Sequence, residues 1–238
     1  RKGKTKIMIS LKKLLAGVLS AAMILGTMAI PAFAAESTSG NAAKIGETEY
    51  ATLANAVAAA KKDDTITMLG NVTESIVIEN GNTITLDLNG YTLTNTDGKH
   101  TIETNGTLTI NDSSNDKTGT VDNVIHARGA LVNHEGAVAT LNGGKFYRSL
   151  EAGNSPDNNG GNSWYTILNQ GTMTINDGAT VENGGCYSAN IRTDSELTVN
   201  GGTFKGGINT IKVDENGELT INDGNSSNDK ATCIFNWN

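Results

Sequence analysis

The 238-residue chain contains only two cysteines, two prolines, three histidines and 11 aromatic residues. The two cysteines are distant and no histidines pair at ligand spacing, so the sequence carries no zinc signature and no disulfide-dense scaffold. Charged side chains make up 18%, too few for a coiled coil or a highly charged disordered tail. Basic residues are scarce outside the N-terminus. The first 34 positions hold six Lys or Arg and no Asp or Glu, leaving 12 basic against 25 acidic side chains in the remainder. A chain this acidic repels phosphate backbones and anionic lipid, so neither nucleic acid nor a membrane surface is an expected partner. What is abundant is Gly (28), Asn (29) and Thr (30), a turn-rich and strand-friendly composition.

Arg1, Lys2, Lys4, Lys6, Lys12 and Lys13 open the sequence, an apolar run follows from Leu14 to Ile30, and Pro31-Ala-Phe-Ala-Ala35 closes it. Basic, apolar, then small-x-small is the order of a secretory signal peptide, here residues 1–34 with cleavage after Ala34. A retained membrane anchor is the alternative, because the run is near the lower limit for a spanning helix. The chain is therefore expected to be secreted or displayed at an extracellular cell surface. The basic start and long apolar run suit a Gram-positive bacterium, and the absence of Met at position 1 suggests a fragment. Residues 35–43 read as a linker.

Thr52-Leu-Ala-Asn-Ala-Val-Ala-Ala-Ala-Lys61 is the one helical pattern, with Thr52 as its cap and Leu53, Val57 and Ala60 on one face. Beyond it the chain repeats. The unit Gly-x-apolar-Thr-apolar-Asn occurs as Gly106–Asn111, Gly171–Asn176 and Gly217–Asn222, and Ser195–Asn200 replaces the glycine. Gly136–Asn142 carries one extra residue, and Thr83–Asn89 is a longer version. Alternation of apolar and polar residues marks each unit as a half-buried strand. The repeated Asn falls at 89, 111, 142, 176, 200 and 222, with further short strands on either side. Three strands per coil of about 22 residues, with Asn/Gly turns, predict a solenoid of parallel strands over residues 44–238. Leu108, Ile110, Met173, Ile175, Leu197, Val199, Leu219 and Ile221 would stack inside, the Asn side chains would bond along the axis, and the helix at 52–61 would cover the first coil.

The stretch Leu197-Thr-Val-Asn-Gly-Gly-Thr-Phe204, with the opening Ile45–Leu53 and Leu86-Asp-Leu-Asn-Gly-Tyr-Thr-Leu93, resembles the right-handed parallel β-helix repeats of pectin-lyase-like proteins in secreted and cell-surface proteins of Firmicutes. The resemblance implies an all-β right-handed parallel β-helix of six or seven coils with an N-terminal α-helical cap. It leaves function open, because this architecture hosts lyases, hydrolases, adhesins and spacers. The Gly-His-Gly and multi-Asp signatures of the pectin-degrading relatives are missing.

Candidate chemistry is sparse. Asp122, His126, Arg128, His134 and Glu135, and the pairs Arg192/Asp194 and Arg148/Glu151, form no recognisable catalytic spacing, so no catalytic residue is assigned. Asp223, Asn225, Ser227 and Asp229 alternate in a way that superficially suits Ca2+, the only cofactor to consider, but lack the closing bidentate Glu. Asn111–Lys117 is a similar acidic turn, and Asx-type turns are the simpler reading of both. Outward threonine pairs invite an ice-binding reading. Taken coil by coil, however, the outward positions read Thr107/Thr109, Ala137/Ala139, Thr172/Thr174, Glu196/Thr198 and Glu218/Thr220, so an Ala pair and two Glu break the array. The longest coil holds a Gly/Asn-rich loop, 148–163, rooted between Phe146, Tyr147, Trp164 and Tyr165. Aromatic faces beside polar groups suit sugar stacking, which makes Trp164, Tyr147, Tyr165 and Arg148 the candidate ligand residues. Core filling is the competing role for at least two of these aromatics.

The expected function is a non-catalytic secreted or cell-surface module, adhesin-like or glycan-binding, with a polysaccharide or host glycan as partner. The alternative is a polysaccharide lyase or glycoside hydrolase. Cys186 and Cys233 should lie two coils apart and remain free thiols. The sequence stops in an apolar strand, so the natural protein is expected to continue beyond Asn238 and the fragment to self-associate.

Overall fold

A computed structural model describes residues 40–125, 128–149, 165–183, 189–207, 209–227 and 232–236. It opens with a hairpin of β1 (Ala43–Ile45) and β2 (Thr48–Tyr50), then the helix α1 (Leu53–Ala59). Strands follow in threes. The first coil is β3 (Asp64–Met68), β4 (Val72–Thr73) and β5 (Ile76–Ile78), and the second is β6 (Thr83–Asp87), β7 (Thr92–Thr94) and β8 (Ile102–Thr104). The third is β9 (Thr107–Asn111), β10 (Thr120–Asp122) and β11 (Leu131–Asn133). The fourth is β12 (Val138–Leu141), β13 (Gly144–Arg148) and β14 (Tyr165–Asn169). The fifth is β15 (Thr172–Ile175), β16 (Ala179–Asn183) and β17 (Ala189–Thr193). The sixth is β18 (Glu196–Val199), β19 (Thr203–Gly206) and β20 (Asn209–Val213), and the last is β21 (Glu218–Ile221), β22 (Asn225–Ser227) and β23 (Thr232–Asn236).

Each strand pairs in parallel with its counterpart one coil away. The result is three sheets, the first of nine strands including the β1–β2 hairpin and the other two of seven. This is an all-β parallel β-helix of seven coils. The hairpin joins β3 antiparallel, and α1 buries Leu53, Ala56 and Val57 in the common core. Thr52 caps the helix by accepting from Asn55 N at 3.1 Å. The helix is shorter than the 52–61 pattern, because Ala60 already has extended backbone. Among the described residues no helix is long and apolar enough to cross a membrane.

The core is built of ladders. In the first sheet Ile66, Leu86, Ile110, Leu141, Ile175 and Val199 stand in one inward row, all buried. The row ends at Ile221, which is 47% exposed on the last coil. The second sheet contributes Leu93, Val121, Phe146, Val181 and Phe204, and the third Ile76, Ile102, Leu131, Ile167, Ile191 and Ile211.

The repeated asparagine forms a ladder on the outside of the first sheet. Asn142, Asn176, Asn200 and Asn222 each donate from Nδ2 to Oδ1 of the asparagine one coil earlier, at 3.0, 2.7, 2.9 and 2.7 Å, beginning at Asn111. The side chains thus bond one another rather than the turn backbone. Asn89 is not part of this row. Its place opposite Asn111 is taken by Asp87, while Asn89 adopts φ +47° at a turn and donates to Met68 O at 3.0 Å.

The fourth coil corrects the outward assignment. Val138 and Thr140 face outward in register with Thr107 and Thr109, and Ala139 points into the core opposite Leu108. The extra residue in Gly136–Asn142 is taken up before the strand, where the buried Ala137 donates to His134 O at 3.0 Å. Counting forward from the glycine inverts the faces, because a one-residue slip exchanges inside and outside.

Candidate functional site

The candidate ligand residues lie where the chain leaves β13 and re-enters at β14. Trp164 lies outside the described residues, as do His126, Glu151, Cys186, Asp229 and the signal segment 1–34. Phe146 is core, fully buried. Arg148 is 2% exposed and donates from Nη1 to Ile125 O at 2.7 Å and to Arg128 O. Its guanidinium holds the carbonyls of Ile125 and Arg128 and so braces the backbone that carries Arg128.

Tyr147 lies on the outer face of the second sheet, in a row running Asp122, Tyr147, Glu182, Lys205. Lys145 reaches across to Glu182 at 3.0 Å with its ammonium 3.9 Å from the Tyr147 ring centroid. That cation–π contact occupies one face of the ring. Burial, then the neighbouring Glu182 and Asp122 carboxylates, raises the phenol above its ordinary value. Burial likewise pushes Asp122 upward, against the opposing bond from Ser149 N at 2.9 Å.

Tyr165 is on the outer face of the third sheet. Its ring stacks on His100 with centroids 6.2 Å apart and planes at 20°. Gly129 occupies the rung between them, and a Cβ there would come within 3.0 Å of the Tyr165 ring, so the glycine makes the stacking possible. Gly129 N also donates to His100 Nδ1 at 2.9 Å, fixing the imidazole as the Nε2–H tautomer. Burial holds His100 below its usual value, against the attraction of Glu103. Burial raises Tyr165, while the charges of Arg128, Arg192 and Arg148 partly oppose it. The rim is polar: Glu103 meets His134 at 2.9 Å, and Arg128 Nε donates to Gly98 O at 2.9 Å. Of the acid–base residues singled out in the sequence, Arg128 and His134 therefore belong to this face and Asp122 to the neighbouring one. Arg192 pairs with Asp214, and Asp194 instead accepts from Gln170 Nε2 at 3.5 Å. His100, Glu103 and Gly129 were not among the sequence candidates.

The two acidic turns differ. Asn225–Ser227 is the extended strand β22, paired with β19, and Asp223 accepts from Gly224 N at 2.7 Å. An extended rung does not wrap its side chains around one centre as a calcium loop does. Among the described residues no cluster of three or more His, Cys, Asp or Glu could hold a metal ion. In the other turn Asp112 accepts from Gly90 N (2.9 Å), Gly119 N (2.7 Å), Ser114 N (3.2 Å) and Ser114 Oγ (2.8 Å). Burial opposes ionisation, yet these donors outweigh it and hold the carboxyl below the ordinary 3.8. A depressed folded value stabilises the protein fully above the unfolded value and is lost as pH falls through the folded one. Asp112→Asn should therefore lower stability at neutral pH by about 2 kcal/mol. In urea melts the gap from wild type should narrow below roughly pH 4; a gap that stays constant to pH 2 would contradict this. Cys233 carries a free, exposed thiol.

No family model, curated protein or solved structure matches the chain.

Proposed function

We propose that the chain is a non-catalytic, adhesin-like module of the pectin-lyase-like kind, exported by a Gram-positive bacterium, that binds a polysaccharide or host glycan on the third sheet. The observation that carries this is the Tyr165–His100 stack. It is an aromatic platform at the corner where the chain enters the third sheet, with Glu103, His134 and Arg128 around it as hydroxyl partners. Tyr147 is the weaker candidate, since Lys145 already covers its ring. Export rests on the signal pattern in residues 1–34.

The test is retention of the full chain in gels containing plant or host polysaccharide. A stacked aromatic contributes on the order of 1 kcal/mol, so Tyr165→Ala should weaken retention about fivefold to tenfold and Tyr165→Phe should retain it. An unchanged melting temperature keeps the result a statement about binding. Equal retention of Tyr165→Ala and wild type would overturn the assignment. Release of reducing ends or unsaturated products would favour the lyase or hydrolase reading.

A further inference from the structure

The first sheet carries a second, differently built surface. Its central outward row is Thr65, Thr85, Thr109, Thr140, Thr174, Thr198 and Thr220, a threonine in every one of the seven coils. The row stays in register although successive coils contribute 20, 24, 31, 34, 24 and 22 residues between these threonines. On one side stands the asparagine ladder. On the other stand Thr83, Thr107, Val138 and Thr172, and then Glu196 and Glu218. From β9 to β15 the plate contains no charge, only hydroxyl, methyl and amide groups.

The outward row of the second sheet reads Thr92, Thr120, Lys145, Thr180, Thr203, Asn225 and that of the third Val77, Glu103, Val132, Leu168, Arg192, Lys212, so the first sheet alone carries a threonine in every coil. The asparagine and threonine rows of the first sheet also differ in bonding. The asparagines satisfy one another along the axis. None of the seven central threonine hydroxyls has a protein partner in the described structure, whereas Thr172 Oγ1 reaches Glu196 at 3.3 Å. The hydroxyls therefore form one unbroken row open to solvent, doubled in three coils by Thr83, Thr107 and Thr172. Its repeat is about 4.8 Å along the axis and about 6.6 Å between alternate residues of a strand. These repeats lie close to those of the oxygens on the prism face of ice. A glycan would find no aromatic on this plate to stack against.

We infer that the outer face of the first sheet binds ice, through the threonine row and the charge-free plate around Thr109, Thr140 and Thr174. Methyl groups hold water in place between the hydroxyls, and the stiffness of seven hydrogen-bonded strands keeps the row fixed as the ice front approaches. The inference is independent of the glycan platform, which lies on another sheet. The test is partition of the full chain into a slowly growing ice front beside an inert globular protein. Wild type should be enriched severalfold in the ice fraction, Tyr165→Ala should be enriched equally, and Thr109→Lys/Thr140→Lys should lose the enrichment. A second variant, Glu196→Thr/Glu218→Thr, extends the uncharged plate and should partition more strongly, which decides the matter should the lysine variant fail to fold. Exclusion of wild type from ice, undiminished enrichment of a folded lysine variant, or no gain in the threonine variant would overturn the inference.

Discussion

Replacing Gly106 by Ala should destabilise the helix by about 3 kcal/mol, the upper range for overpacking a rigid site. Gly106 opens the repeat unit, and its backbone is not left-handed, so torsional strain is not the reason for the glycine. A Cβ at this position would lie 2.5 Å from Asn82 O and 2.6 Å from Glu79 O. Neither carbonyl can retreat. Glu79 O accepts from Asn82 N at 3.1 Å, closing the turn between β5 and β6, and Asn82 O accepts from Thr107 N at 2.8 Å, tying that turn to the next coil. The same crowding holds at Gly171, against Ala137 O and His134 O, and at Gly217, against Thr193 O. At these three corners the glycine answers coil-on-coil crowding, whereas Ala137 and Ser195 stand at the same rung of the fourth and sixth coils, where the corner admits a Cβ. Gly136 supplies the comparison: it has φ +77° with nothing within 4 Å of a Cβ. Gly136→Ala should cost only the left-handed backbone, about 1 kcal/mol. Urea midpoints of the two variants should differ clearly, and equal midpoints would show that the corner relaxes.

The repeat was legible because its signals are local. Leu108, Ile110, Met173, Ile175, Leu197 and Val199 alternate with polar residues inside single strands, and all six are buried as the alternation requires. The asparagine row was legible because one residue type recurs at one strand end, and Asn89 was misread because its turn copies the motif two residues out of register. Strands with a single apolar residue, such as β10 with Val121, gave no periodic signal and are fixed by pairing between coils. The site depended on distance in sequence. His100 and Tyr165 meet only when coils of unequal length are aligned, and no local pattern reports that alignment. The seven-threonine row was hidden for the same reason, since one extra residue near Gly136 reversed the apparent faces.

The second large effect lies in a ladder that the sequence did not disclose, inside the third sheet. Its second inward row runs Ile78, Thr104, Asn133, Asn169, Thr193, Val213, so the middle coils carry polar side chains at core positions. Asn133 donates to Asn169 Oδ1 at 2.8 Å and to Thr172 O at 3.1 Å. Asn169 in turn donates to Thr193 Oγ1 at 3.0 Å and to Glu196 O at 2.9 Å. Asn133, Asn169 and Thr193 are fully buried, so the bonds among these side chains satisfy groups that water cannot reach. Asn169→Ala would strand the Glu196 carbonyl, remove the acceptor of Asn133 and leave a cavity, together costing about 3 kcal/mol. The donors in this ladder all point toward the later coil, and Asn133 Oδ1 at its start has no partner. Thr104 stands opposite, one coil earlier, with its Oγ1 accepting from Gly106 N at 3.3 Å. An asparagine at 104 could keep that acceptor through Oδ1 and donate from Nδ2 to Asn133, extending the row by one rung. Thr104→Asn is expected to raise stability by about 1 kcal/mol. Combined with Asn169→Ala, which leaves Asn133 less firmly held, the gain should shrink. A double-mutant cycle in urea reads that coupling directly, and strict additivity would mean the two asparagines act as separate caps.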